Sequence, residues 1–167
     1  MKTFILDSSA VLRFTDDEVG ADRVAEILRG CSALVLHRLR RPAVDETGQF
    51  AFLFVLLYLR ICFLSEVECR VSALQWGEIV GKLHKRLGFH QYQQIAQNFK
   101  RTKLSIVSID SQRAERAAAI RVDYKLGSAD SYAAELTLDS PESVLVTADY
   151  DFKAVEDLIR IEFLPAK

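Results

Sequence analysis

Four acidic residues stand where they could act together: Asp7 after FIL, Glu78 in VSALQWGEIV, Asp130 in GSADSYAAEL and Asp149 in LVTADYDF. Carboxylates gathered in one place repel one another and need cations to coexist. Hard cations such as Mg²⁺ or Mn²⁺ prefer carboxylate and water oxygens. Two such ions about 3.5–4 Å apart can activate a water and stabilise the leaving oxygen of a phosphodiester. That chemistry needs no nucleophilic side chain, and the sequence offers no convincing Ser-His-Asp or Cys-His set. Each acid also has an ordinary use. Asp7 and Asp149 could shape turns, Asp130 could pair with a helix dipole, and Glu78 could bridge to Lys82 one turn on. The case for chemistry rests on the four together.

The elements that must position them follow from periodicity. Lys2 to Asp7 reads as a buried strand followed by a polar Ser-Ser break. A helix is expected over 20–29 with Val24, Ile27 and Leu28 on one face and Gly30 as its stop. Cys69 to Leu74 reads as a strand, Trp76 to Leu87 as an amphipathic helix ended by Gly88, and Gln91 to Lys100 as another helix. Leu104 to Ile109 is the third strand and Gln112 to Lys125 an alanine-rich helix ending at Gly127. Ser128 is expected to cap a helix over 129–137. After Pro141 come a strand at 144–147, a short helix over 152–158 and a last strand at 161–164. Alternating strands and helices predict an α/β/α sandwich around a mostly parallel sheet of about five strands. Ligands of such sheets bind beyond the carboxyl ends of the strands. All four acids fall at strand ends or helix starts facing that rim, with Glu78 and Asp130 in first turns that favour their ionised form.

Composition sets the bounds. The 167 residues suit one compact domain over 1–167, and half of them are hydrophobic. A net charge of −1 advertises no global basic field, so any nucleic-acid grip must be local. Cys31, Cys62 and Cys69 form no CxxC pair, and their odd number argues against a disulfide framework. A reducing, cytoplasmic setting is expected, and the apolar run in MKTFILD is too short for a signal peptide. One stretch breaks the rhythm. From about 31 to 68 the chain passes HRLRRP and ETGQ into FAFLFVLLYLRICFL, a hydrophobic insertion. A bilayer span needs roughly 20 apolar residues, more than Phe50 to Leu59 provides, so a buried extension of the core is expected, ahead of a subunit or partner interface and of membrane contact.

LDSSAVL, VSALQWGEIV, GSADSYAAEL and LVTADYDF, in this order, resemble the signature segments of PIN-domain nucleases, and of VapC-type toxins among them. The resemblance covers about residues 1–30 and 69–167. It implies catalytic and metal-binding roles for Asp7, Glu78, Asp130 and Asp149, with Asp151 as a further metal contributor. It gives Thr147 the part of a hydroxyl that orients the neighbouring carboxylate and Ser8 that of a small polar residue beside the first aspartate. It also implies Mg²⁺- or Mn²⁺-dependent hydrolysis of RNA, a homodimer, and a small antitoxin that covers the acidic pocket. The insertion is the departure from small relatives, which usually join the first helix to the second strand by a short loop.

RNA would be gripped through its phosphates. Arg13 and Lys82 are the first candidates, with Lys85 and Arg86, then Lys100, Arg101 and Lys103, and Arg38, Arg40 and Arg41 in the insertion. Tyr132, Tyr150 and Phe152 could stack on bases, although packing is their commoner use, and Trp76 reads as core. Competing readings are a non-catalytic PIN-like interaction module and a nuclease of structured DNA. A phosphoacceptor domain would welcome Asp110 after the third strand, but it wants adjacent acids where Asp7 is followed by Ser8 and Ser9.

Overall fold

The computed structural model describes residues 2–29, 67–101 and 104–166. The expected sandwich is present. Strand β1 (Thr3–Leu6) is followed by α1 (Ser8–Thr15) and α2 (Ala21–Arg29). Then come β2 (Glu68–Ser72), α3 (Ala73–Leu87), α4 (Phe89–Arg101), β3 (Leu104–Val107), α5 (Ser111–Tyr124), α6 (Ser128–Thr137), β4 (Ser143–Thr147), a 3₁₀ helix (Tyr150–Val155) and β5 (Ile161–Phe163). The sheet order is β3-β2-β1-β4-β5, and every pairing is parallel.

β1 is the centre, flanked by β2 and β4, and all four of its residues are buried. A parallel strand covered on both faces has to be apolar throughout, and TFIL nearly is. Its side chains alternate between two cores, as the pleat dictates. Phe4 and Leu6 join Ala10, Val11, Val24, Ile27, Ile79, Leu83, Ile95 and Phe99 from α1–α4. Ile5 instead joins Ile120, Ala133, Ala134, Leu136, Phe152 and Val155 from α5, α6 and the 3₁₀ helix. Trp76 is partly buried and packs against the first core, meeting Phe99 edge-on at 6.1 Å.

The order of the sheet reverses direction at β1. The chain grows outward through β2 and β3, then returns to place β4 on the other side. Adjacent strands leading away in opposite directions open a crevice at their carboxyl ends. Asp7 follows β1 and Asp149 follows β4 across that crevice, where the Asp7 N–H donates to the Val146 carbonyl at 3.1 Å.

Several local expectations need correction. The Ser-Ser after β1 does not break the chain. It opens α1, because Asp7 in extended conformation is an N-cap whose carboxylate accepts the Ser9 N–H. The second strand stops at Ser72, which caps α3 through a 3.2 Å bond from the Gln75 N–H, so the helix begins before Trp76. Ser128 is not the cap of α6. Gly127 holds that position, without a side-chain bond. The expected helix over 152–158 is the 3₁₀ helix, beginning at Tyr150. Gly88 ends α3 as expected, at φ 79°. The insertion up to residue 66, with Gly30, Arg38, Arg40 and Arg41, lies outside the described residues, as does Lys103. Among the described residues no helix is long and apolar enough to cross a membrane.

Candidate active site

Asp7 is 2% exposed, and its two oxygens are treated unequally. Oδ2 accepts the Ser9 N–H at 3.1 Å, the Ser9 hydroxyl, and the Thr147 hydroxyl at 2.9 Å. Oδ1 is buried and has no hydrogen-bond partner. Burial raises the carboxyl above its ordinary pKa, and the Ser9 and Thr147 bonds only partly offset that. A buried, unpartnered carboxylate oxygen is costly unless a proton or cation meets it.

Thr147 links two elements. Besides donating to Asp7 it accepts the Asp149 N–H at 2.9 Å, which ties the residue after β4 to the residue after β1. Ser9 makes the same tie by another route, since its Oγ accepts the Ala148 N–H at 2.9 Å. Asp149 N-caps the 3₁₀ helix by accepting the Asp151 N–H at 3.0 Å.

Glu78 is in the second turn of α3, exposed, and accepts the Ser8 hydroxyl at 3.0 Å. Its partner in the structure is thus Ser8 rather than Lys82, the alternative that i,i+4 spacing offers. Asp130 is in the first turn of α6, half-buried, and close enough to Gly127 that a Cβ there would stand 2.6 Å from its Oδ2. Its carboxyl is pushed up to about 6, first by burial and then by the negative charges of Asp7, Asp149 and Glu78. The four acids therefore share one electrostatic neighbourhood although they come from four elements. Asp151 is exposed.

Among the described residues no three His, Cys, Asp or Glu side chains are drawn together tightly enough to clasp an ion as they stand. The donor chemistry nonetheless fits a hard divalent cation. It comprises four carboxylates, one with an orphaned buried oxygen and another raised by burial and by the charges of the rest. Beside them lies an open cleft of about 350 Å³ lined by Ser9, Leu12, Arg13, Glu18, Lys82, Ala148 and Asp149. Arg13 and Lys82 thus meet at one cleft. Arg13 is already engaged, because its Nη1 donates to the Val19 carbonyl at 3.0 Å and also to the Pro165 carbonyl. Lys82 is exposed. Arg86 is tied to Asp16 and Thr15 instead. Phe152 is core, and Tyr150 stacks on Phe163 at 5.1 Å.

Two residues that periodicity does not single out belong to this site. Ser9 is the hydroxyl hub just described. Its signal is the Asp-Ser-Ser start of a helix, read above as a break. The other is Gln75, which is 0% exposed and whose Oε1 accepts the Ser8 N–H at 2.7 Å.

Comparison with known proteins bears on the fold and the family. No curated protein matches the chain. Among solved structures, a chain of the toxin-antitoxin complex from Klebsiella pneumoniae superposes with a TM-score of 0.57 at 15% identity, covering 98% of each chain. VapBC2 from Rickettsia felis, bound to a DNA fragment from its promoter, gives 0.57 at 12% identity, over 98% of this chain and 99% of that one. Mycobacterium tuberculosis VapC20, a sarcin-ricin loop cleaving toxin, gives 0.55 at 14%, over 97% and 99%. At such identities the likeness is one of fold. The PIN domain family matches residues 59–158, more than half of the sequence, and the chain belongs to that family.

Proposed function

We propose that this chain is a metal-dependent endoribonuclease, the toxin of a toxin–antitoxin pair, acting through Asp7, Glu78, Asp130 and Asp149. The observation that carries the reading is the convergence on Asp130 of three other carboxylates from separate elements. Mg²⁺ or Mn²⁺ held by these four, with Asp151 at the margin, would supply an activated water and charge stabilisation for the leaving oxygen. The side chains around them orient. Thr147 and Ser9 fix one oxygen of Asp7 and leave the other for the ion, while Ser8 holds Glu78. Lys82, with Arg13 behind it, draws the phosphodiester into the adjoining cleft. Toxin–antitoxin assemblies among the structural neighbours support a small protein partner that covers the acidic edge. RNA as substrate is supported by the RNA-cleaving neighbour. A homodimer, a cytoplasmic setting and a single domain over 1–167 complete the reading.

The test is cleavage of labelled single-stranded RNA by purified protein with Mg²⁺ or Mn²⁺, against chelator, Asp7→Ala and a matched DNA strand. Metal-dependent RNA cleavage that the variant lacks is the expected result. Cleavage of DNA alone would move the substrate class. A folded protein that binds Mn²⁺ and cuts nothing would leave a non-catalytic interaction module.

A further inference from the structure

Gln75 lies one turn before Glu78 on α3 and is, among the described residues, the largest polar side chain fully enclosed in the core. Its own backbone N–H is already taken by the Ser72 cap. The side-chain amide looks two ways. Oε1 accepts the N–H of Ser8, the residue directly after Asp7, at 2.7 Å. Nε2 stands 3.5 Å from Oδ1 of Asp130, at the outer limit of a hydrogen bond. One planar group thus connects the three elements that carry Asp7, Glu78 and Asp130, across 67 residues of sequence in one direction and 55 in the other.

A methionine or leucine would fill this space without the cost of burying an amide. A bond to Ser8 alone would ask only for an acceptor. The Nε2 side is what distinguishes Gln75: among the described residues it is the side-chain donor that meets Asp130, whose carboxyl stands in the field of Asp7, Asp149 and Glu78. Buried donors of this kind orient metal-ligating carboxylates, and their loss typically costs about 10–100-fold in metal affinity or activity.

We propose that Gln75 is a positioning residue for the carboxylate centre, setting Asp130 against Asp7 through the two ends of its amide. The proposal rests on the metal-site reading above. Two variants separate its halves. Gln75→Met removes both bonds. Gln75→Glu keeps an acceptor for Ser8 and puts a carboxyl oxygen where Asp130 now meets an N–H. Each is stripped of metal, checked for folding by circular dichroism, titrated with Mn²⁺ by calorimetry, and assayed for kcat and KM on labelled RNA. For Gln75→Met we expect Mn²⁺ affinity about tenfold weaker and kcat reduced with KM for RNA unchanged. For Gln75→Glu we expect an altered Mn²⁺ isotherm and the same fall in kcat. If Gln75→Met does not fold, Gln75→Glu decides alone. A folded Gln75→Glu that matches the parent in isotherm and kcat within twofold overturns the proposal, because Gln75 then only anchors Ser8. Absence of Mn²⁺ binding by the parent chain itself overturns both this proposal and the metal-site reading, which tells the two failures apart.

Discussion

Asp130 carries a conflict between stability and use. Its carboxyl holds its proton more tightly in the folded chain, through burial first and then the charges of Asp7, Asp149 and Glu78. A carboxyl whose folded pKa lies above its unfolded value binds more protons when folded, so stability falls as pH rises between the two. Here the window runs from the ordinary 3.8 to about 6. Metal-free protein should therefore lose melting temperature between about pH 4 and pH 6 through this group, and Asp130→Asn should flatten that slope. The same variant should melt higher than the parent at pH 7 in chelator, by about 2–4 °C for each kcal/mol of repulsion removed, while cleaving nothing. A lower Tm for Asp130→Asn would mean that the acids do not repel as described. Thr147→Val tests the other side of the centre. It should lower cleavage about 10–100-fold, since Asp7 loses its orienting hydroxyl and the Asp149 N–H its acceptor. At this scale the sequence is half legible. Acids announce themselves by type and place, and their gathering follows from strand ends. Ser9 and Gln75 carry no such mark, because a serine at a helix start and a glutamine on an inner helical face have many uses. Their roles exist only once α1, α3 and α6 are brought together.

The helices show what local pattern can and cannot reveal. α3 was readable because Ile79 and Leu83 repeat at helical spacing and Gly88 closes it. α1 was not, because its eight residues begin with two serines, and its start depends on Asp7 acting as cap and site residue at once. The caps give a matched pair of expectations. Ser128→Ala should leave stability and cleavage unchanged, since no cap bond comes from that side chain. Gly127→Ala changes a position with an ordinary φ of −61°, so the backbone accepts it, and the cost to the helix stays below about 1 kcal/mol. The new methyl would nonetheless meet Asp130 Oδ2 at 2.6 Å and force that carboxylate to turn. Weaker Mn²⁺ binding at nearly constant Tm is the expected signature, read by calorimetry and thermal melting. Equal Mn²⁺ affinity would show that Asp130 moves aside freely. In the same way Ser72→Ala should cost about 1 kcal/mol of stability through loss of the α3 cap.

Across the whole molecule, the order of elements is legible because short apolar runs and amphipathic helices alternate regularly from residue 67 onward. The strand order was not, since nothing local states that β4 returns to lie beside β1. That return is what creates the crevice between Asp7 and Asp149. Net charge also acts at this scale. A chain of charge −1 holds RNA by a few local cations, so its affinity should depend only modestly on salt. Lys82→Ala should flatten the plot of log affinity against log salt by about 0.7, the contribution of one single-strand phosphate contact. An unchanged slope would place Lys82 outside the grip.

The central place of β1 has one more consequence, for the chain as it leaves the ribosome. β1 emerges first, yet one of its two neighbours, β4, is not complete until residue 147. Until then one edge of the central strand is open, and Asp7 has neither Thr147 to hold it nor Asp149 across from it. A nascent chain therefore carries three of the four acids without a working centre. On the nuclease reading proposed above, synthesis passes β1, α3 and α6 beside the ribosome's own RNA before the fourth acid, Asp149, can complete the centre.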